Sequence, residues 1–170
     1  MKIDRQYCMM MARYNTWQNR QFLERLCDVD PTELTRNRGA FFGSILATLS
    51  HLLWGDHIWM SRFDGGSAPE VAGDKSTTFA PTLGAWEAER FRIDDRIRLW
   101  AEALDDIDLD GDLVWYSGMS AREMNKPMAI CVVHMFNHQT HHRGQVHAMM
   151  TGAGLTAPVS DLIFMPDEGA

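Results

Sequence analysis

The feature that most limits what this chain can fold into is a helical hydrophobic period that recurs in four long segments. A recurrence near 100° per residue places one apolar arc along each segment. In the first, from about 4 to 27, Ile3, Tyr7, Met10, Met11, Tyr14, Trp17, Phe22 and Leu26 share an arc, with Asp4 as N-cap. The second, from about 44 to 63, carries Ile45, Leu46, Leu49, Leu52, Leu53, Met60 and Phe63, and Gly65-Gly66 ends it. Trp54 and Ile58 lie off that stripe, so burial on two faces is expected. The third, from about 82 to 104, carries Leu83, Trp86, Ile93, Ile97, Trp100 and Leu104. Arg90 interrupts it, to be snorkelled or paired. The fourth runs from near Pro127, which suits a first helical position, to near Gly152.

The connections carry less information. Asp30-Pro31 marks a break, and residues 67 to 80 read as a surface loop. The acidic stretch DDIDLDGD lacks EF-hand ligand spacing and reads as a solvated turn. LVWYS is β-branched and aromatic, and pairs with residues near Glu123 as a short hairpin. The apolar DLIFM of the tail is expected to fold back on the helices. The expectation is an all-α chain: one four-helix bundle domain over residues 1–170, with a short hairpin before the last long helix.

Charge narrows the function classes. The formal net charge is −7, which repels a phosphate backbone, so nucleic acid is not an expected partner. No apolar run reaches the length needed to cross a bilayer, and MKIDRQYC has no signal core. A cytoplasmic location is expected. Cys8, Cys27 and Cys131 fit no zinc or redox spacing, and Cys8 and Cys131 read as small buried hydrophobes.

Histidine carries the chemistry. Five of the seven histidines fall in the fourth segment: His134, His138, His141, His142 and His147. Helix propensity does not explain such a cluster. His138 and His142 are four residues apart, about 40° on the wheel, and can direct ring nitrogens to one point. His142 lies in the apolar stripe and His138 at its edge, where a bound ion would offset the cost of two polar rings. His134 forms an alternative pair with His138 but lies further toward the polar side. His141 and His147 read as surface or hydrogen-bonded rings. In the second segment His51 shares a face with Trp54 and Ile58, whereas His57 points elsewhere. His51 is therefore the better third ligand.

These residues resemble the DinB-like superfamily (DinB/YfiT-like metalloenzymes). The similarity lies in HLLWGDHIW, followed much later by HQTHHRGQVH, with the early YNTWQNRQFL and the closing DLIFM. Its sharpest part is H-x-x-x-H-R-G-Q at His138 to Gln145, combined with one histidine in the second segment. The resemblance implies an up-down-down-up bundle and a divalent metal ion, zinc or nickel, held by His51, His138 and His142, with no departure at these positions. It also implies a small-molecule substrate, a low-molecular-weight thiol, and a homodimer. No catalytic residue is named.

Three histidines leave one position open on a tetrahedral ion, for water or substrate. The resemblance, to a superfamily that includes thiol-dependent transferases, implies metal-assisted thiol transfer as the leading expectation. A non-catalytic metal-binding stress-response protein is the alternative, and a bundle with merely structural histidines is the third reading. Asp56 is a candidate partner for a histidine N–H, Gln145 a candidate to orient a ligand, and Arg143 a candidate structural ion-pair residue. Tyr14 and Trp17 are expected in the core.

Overall fold

In the computed structural model, which describes residues 2–167, the long helices begin where the sequence caps them. Asp4 accepts from the Tyr7 N–H ahead of α1 (Arg5–Leu26). Ser44 does the same for Ala47 ahead of α3 (Ile45–Phe63), and Thr82 for Ala85 ahead of α4 (Leu83–Ala103). Each satisfies an N–H that the first turn leaves unpaired. The last helix, α5 (Met128–Gly152), starts one residue later than expected. Pro127 precedes it as the final residue of a strand, so the chain passes from sheet to helix without a loop.

Between α1 and α3 the expected break contains a short helix, α2 (Pro31–Thr35), capped by Asp30. The expected hairpin is present: β1 (Asp112–Ser117) pairs antiparallel with β2 (Arg122–Pro127), with Tyr116 opposite Glu123. The chain is therefore mostly helical with a small two-stranded sheet, and all-α was slightly too narrow. No helix among the described residues is long and apolar enough to cross a membrane.

Two other segments carry detail beyond the expectation. Residues 67 to 80 lie mostly at the surface, as expected, but are anchored. A 3-10 turn at Gly73–Thr78 buries Ser76. The Ser50 hydroxyl donates to the Ser76 carbonyl at 3.0 Å and accepts from the Ala80 N–H at 2.8 Å, strapping the segment to α3. The tail runs along α1, tied by donation from Tyr14 and Gln18 to the Ser160 and Val159 carbonyls. Its apolar side chains nevertheless face outward: Ile163 is 85% and Phe164 63% exposed.

Contacts along the helices set their directions. Arg5 reaches Glu102 while Asn19 reaches Asp94, so α1 and α4 are antiparallel. His51 meets His142 while Trp59 meets His134, so α3 and α5 are antiparallel. Asp56–Arg90 and Phe63–Trp100 make α3 and α4 parallel; Tyr7–Phe136 and Asn15–Arg143 make α1 and α5 parallel. All four contribute to one apolar cluster that includes Phe22, Leu49, Leu53, Trp86, Ile93, Ile97, Met135 and Phe136.

A polar layer crosses this cluster. The Arg90 guanidinium lies 2.6 Å from Asp56 on α3 and 2.8 Å from Asp94 on α4. Asn15 and Asn19 of α1 donate to Asp94 at 3.1 and 3.0 Å. Gln139 of α5 donates to Asp56 at 2.9 Å, and Arg143 of α5 donates to Asn15. All seven side chains are buried. The face of α1 toward the helices is thus Cys8, Ala12, Asn15, Asn19, Phe22 and Leu26; Tyr14 and Gln18 are buried as well, while Met10 of the expected stripe is exposed. Asp56 belongs to this layer and touches no histidine. Arg143 is not in an ion pair: it donates to Asn15 and lies 5.2 Å over the Tyr14 ring, and burial draws it down to about 10, still protonated at neutral pH.

Removing one partner from a buried ion pair strands the other charge, at a cost of about 3–5 kcal/mol. Arg90→Ala is expected to lose stability in that range by urea denaturation. A loss below about 1 kcal/mol would show that the layer contributes little.

Candidate metal centre

His51 projects from α3, and His138 and His142 from successive turns of α5. One ring nitrogen from each lies within 4.8 Å of the others. The ring centroids are 4.4 Å apart for His138 and His142, 4.8 Å for His51 and His142, and 5.2 Å for His51 and His138. The Nε2 atoms of His51 and His138 face each other at 3.2 Å.

The outward nitrogens of two rings are already engaged. His51 Nδ1 lies 2.9 Å from the Ser76 hydroxyl, and His142 Nδ1 lies 2.8 Å from Gln145 Oε1. An amide oxygen only accepts, so His142 carries its proton on Nδ1 and leaves Nε2 as a lone pair. Gln145 in turn contacts His141 at 3.1 Å through its amide nitrogen. Phe42 lies against His51 and His142 with centroids 4.1 and 5.3 Å away. His138 packs on Gly55, where a Cβ would come within 2.8 Å of its Cε1. Only a glycine at that helix position lets the imidazole approach.

The donor set fits a divalent cation. Zn–N bonds of about 2.0–2.1 Å at tetrahedral angles place neighbouring nitrogens about 3.3–3.4 Å apart, close to the His51–His138 separation. Imidazole ligates as the neutral ring. Burial, with a smaller contribution from His142, lowers His51 to about 4, and burial with four histidine neighbours, His142 first, lowers His138 to about 3. Burial lowers His142 as well, opposed by the Gln145 hydrogen bond.

Of the sequence candidates, the cluster brings together His51, His138 and His142. His134 is exposed, against Trp59, with its centroid 6.0 Å from that of His138. His57 lies 3.8 Å from Glu89 and against Phe79, on another face of α3. His147 stays outside the cluster. Gln145 orients a ring of the cluster, but that ring is His142 and not His138, toward whose side the sequence placed it. Ser76, Gly55 and Phe42 were not foreseen. A glycine four residues after His51 inside an apolar helix was the one visible signal; Ser76 and Phe42 come from connections with no periodic pattern.

The geometry and the sequence agree with known relatives. Residues 3–168 match the DinB family. The chain belongs to the DinB family. It is 24% identical over 159 residues to Protein DinB of Bacillus subtilis, covering 91% of each chain. Its fold is similar to the crystal structure of a DinB-like protein from Bacillus cereus, with a TM-score of 0.59 and 19% identity, over 86% of this chain and 90% of that one.

The lowered histidines give this DinB-family chain a defined response to acid when metal is removed. Above about pH 6.5 the rings are neutral in the folded and the unfolded chain alike. Below that, the unfolded chain takes up protons that the folded site refuses, so folding weakens as pH falls toward 4. Urea midpoints of chelator-treated protein are expected to drop over this window, and to drop less in His51→Asn/His138→Asn. Equal slopes in the two proteins would contradict the assignment.

Proposed function

We propose that His51, His138 and His142 hold one divalent ion, zinc or nickel, and that the protein is a metal-dependent enzyme joining a small thiol to an electrophile. The carrying observation is the convergence of three ring nitrogens, His142 buried and His51 and His138 half-buried, whose rings are neutral and, for His51 and His142, oriented from behind by Ser76 and Gln145. We read the four long helices as the up-down-down-up four-helix bundle that frames such a site; the parallel α3–α4 and α1–α5 pairs support this.

When bound, the ion ionises a coordinated water or thiol at the position that three ligands leave open. The chain's own residues favour sulfur. Phe42 and Trp54 flank His51 with aromatic surface. No cysteine joins the cluster among the described residues, and Cys131 precedes His138 by seven positions, about 10 Å along the helix. The thiol sulfur would form the new bond to the electrophilic carbon, whose leaving group departs with the electron pair. The thiol proton passes to solvent.

His51→Ala, His138→Ala and His142→Ala are each expected to abolish stoichiometric metal uptake, whereas His57→Ala, His141→Ala and His147→Ala retain it. Loss in His134→Ala with retention in His142→Ala would move the site by one helical turn. Gly55→Ala removes a helix-weakening residue yet drives a methyl into His138, so a stable protein with at least about tenfold weaker metal affinity is expected. Chelator competition measures both. For the reaction, Co²⁺-loaded protein is expected to develop a sulfur-to-metal charge-transfer band with near-stoichiometric thiol. A spectrum unchanged by every thiol would overturn the thiol reading and leave a metal-binding protein without that chemistry.

A further inference from the structure

The antiparallel helices α3 and α5 match residue for residue along one line. On α3 the residues are His51, Gly55, Trp59 and Arg62; on α5 they are His142, His138, His134 and Cys131. Both sets advance by four, four and three positions, which keeps them on one face of each helix. Contacts join the successive pairs. His51 lies 4.8 Å from His142 by ring centroid, Gly55 is covered by His138, and Trp59 lies 5.1 Å from His134. At the fourth pair, Arg62 and Cys131 are near enough for the cation to act on the thiol, together with Lys126 and against Asp112. The line therefore runs from the histidine cluster to a cation. Gly55 and Arg62 are seven residues apart, about 10 Å along the helix.

Arg62 is held without a counter-ion. Its guanidinium sits 4.6 Å from the Trp59 ring centroid and 5.3 Å from that of Trp115 on β1. It is half-buried, and among the described residues no carboxylate lies within ion-pair distance of it. Arg36, Arg38, Arg90, Arg92, Arg96 and Arg98 all have one. The guanidinium thus lies between two indoles that meet each other edge to face, and among the described residues it has no acidic partner. His134, beside it, is exposed, so the line is open to solvent.

We propose that Arg62 is an anion-binding subsite that receives the carboxylate of a ligand whose other end lies at the His51–His138–His142 cluster. A planar guanidinium matches a carboxylate through two parallel N–H···O bonds. One unpaired cation suits a monocarboxylate better than a phosphate dianion. The spacing selects length as well: the acid must be borne about 10 Å from the group at the cluster. The thiol end of this assignment rests on the function proposed above; the carboxylate end does not.

The experiment separates the two. Cobalt-loaded protein is titrated with 6-mercaptohexanoate, 6-mercapto-1-hexanol and mercaptoacetate, in wild type and Arg62→Gln. Circular dichroism and cobalt content of the variant are expected to match wild type. In wild type 6-mercaptohexanoate is expected to bind about tenfold more tightly than the alcohol and than the shorter acid. In Arg62→Gln that preference is lost while the alcohol is unchanged. Equal affinity of the two long thiols in wild type overturns the subsite and leaves the thiol reading standing. Should no thiol alter the cobalt spectrum, the thiol reading fails, and hexanoate added to metal-free protein decides the subsite. A change in tryptophan emission in wild type that Arg62→Gln lacks upholds it; no change in wild type overturns it.

Discussion

The rest of the structure depends on the buried layer around Arg90. Two guanidiniums, Arg90 and Arg143, and two carboxylates, Asp56 and Asp94, are formally balanced inside an apolar core, with Asn15, Asn19 and Gln139 completing the contacts. Every long helix contributes. Apolar packing tolerates small rotations and slips because it has no direction. Charge-assisted hydrogen bonds do not, because a misplaced partner leaves a buried charge exposed to the full desolvation cost. The layer thereby sets the rotation and the register of all four helices at once.

That setting is what aims the histidines. Asp56 follows Gly55, Gln139 follows His138, and Arg143 follows His142. Gln139 and Arg143 are each one position, about 100° of helix, from a histidine of the cluster, and Asp56 is one position from the glycine on which His138 packs. Once Asp56, Gln139 and Arg143 are engaged in the core, Gly55, His138 and His142 must face the seam between α3 and α5. Ser76 and Gln145 then orient two of the rings from behind, and burial keeps all of them neutral. The site is the neighbouring face of the same polar layer that sets the helix register.

The seam continues past the cluster to Trp59, His134, Trp115 and Arg62. The hairpin supplies one of the two indoles beside Arg62. The tail behaves differently. Its start packs through Ala157 and the buried Pro158, its backbone is tied to α1 through Tyr14 and Gln18, and Ile163 and Phe164 remain exposed.

How far the chain could be read from its sequence follows from the range of each interaction. Helix boundaries were legible because caps and hydrophobic period are local: Asp4, Ser44 and Thr82 act within three residues. The β1–β2 pairing was legible because a short hairpin is local too. The pair His138 and His142 was legible because one helical turn separates them, and His51 followed from its face on α3. What the sequence determined by itself was thus the set of long helices, the hairpin and the histidine candidates; that His142 and not His134 joins His51 and His138 was decided by how α3 packs on α5. The tertiary structure alone decided the rest. Asp56 turned to Arg90 instead of a histidine, Arg143 found Asn15 instead of an acid, and Ser76 reached His51 across 25 positions of chain. These partners lie on different elements, and a polar side chain at a helix edge has several directions open to it. Which partner it meets depends on the relative rotation of packed helices, a quantity no local pattern encodes.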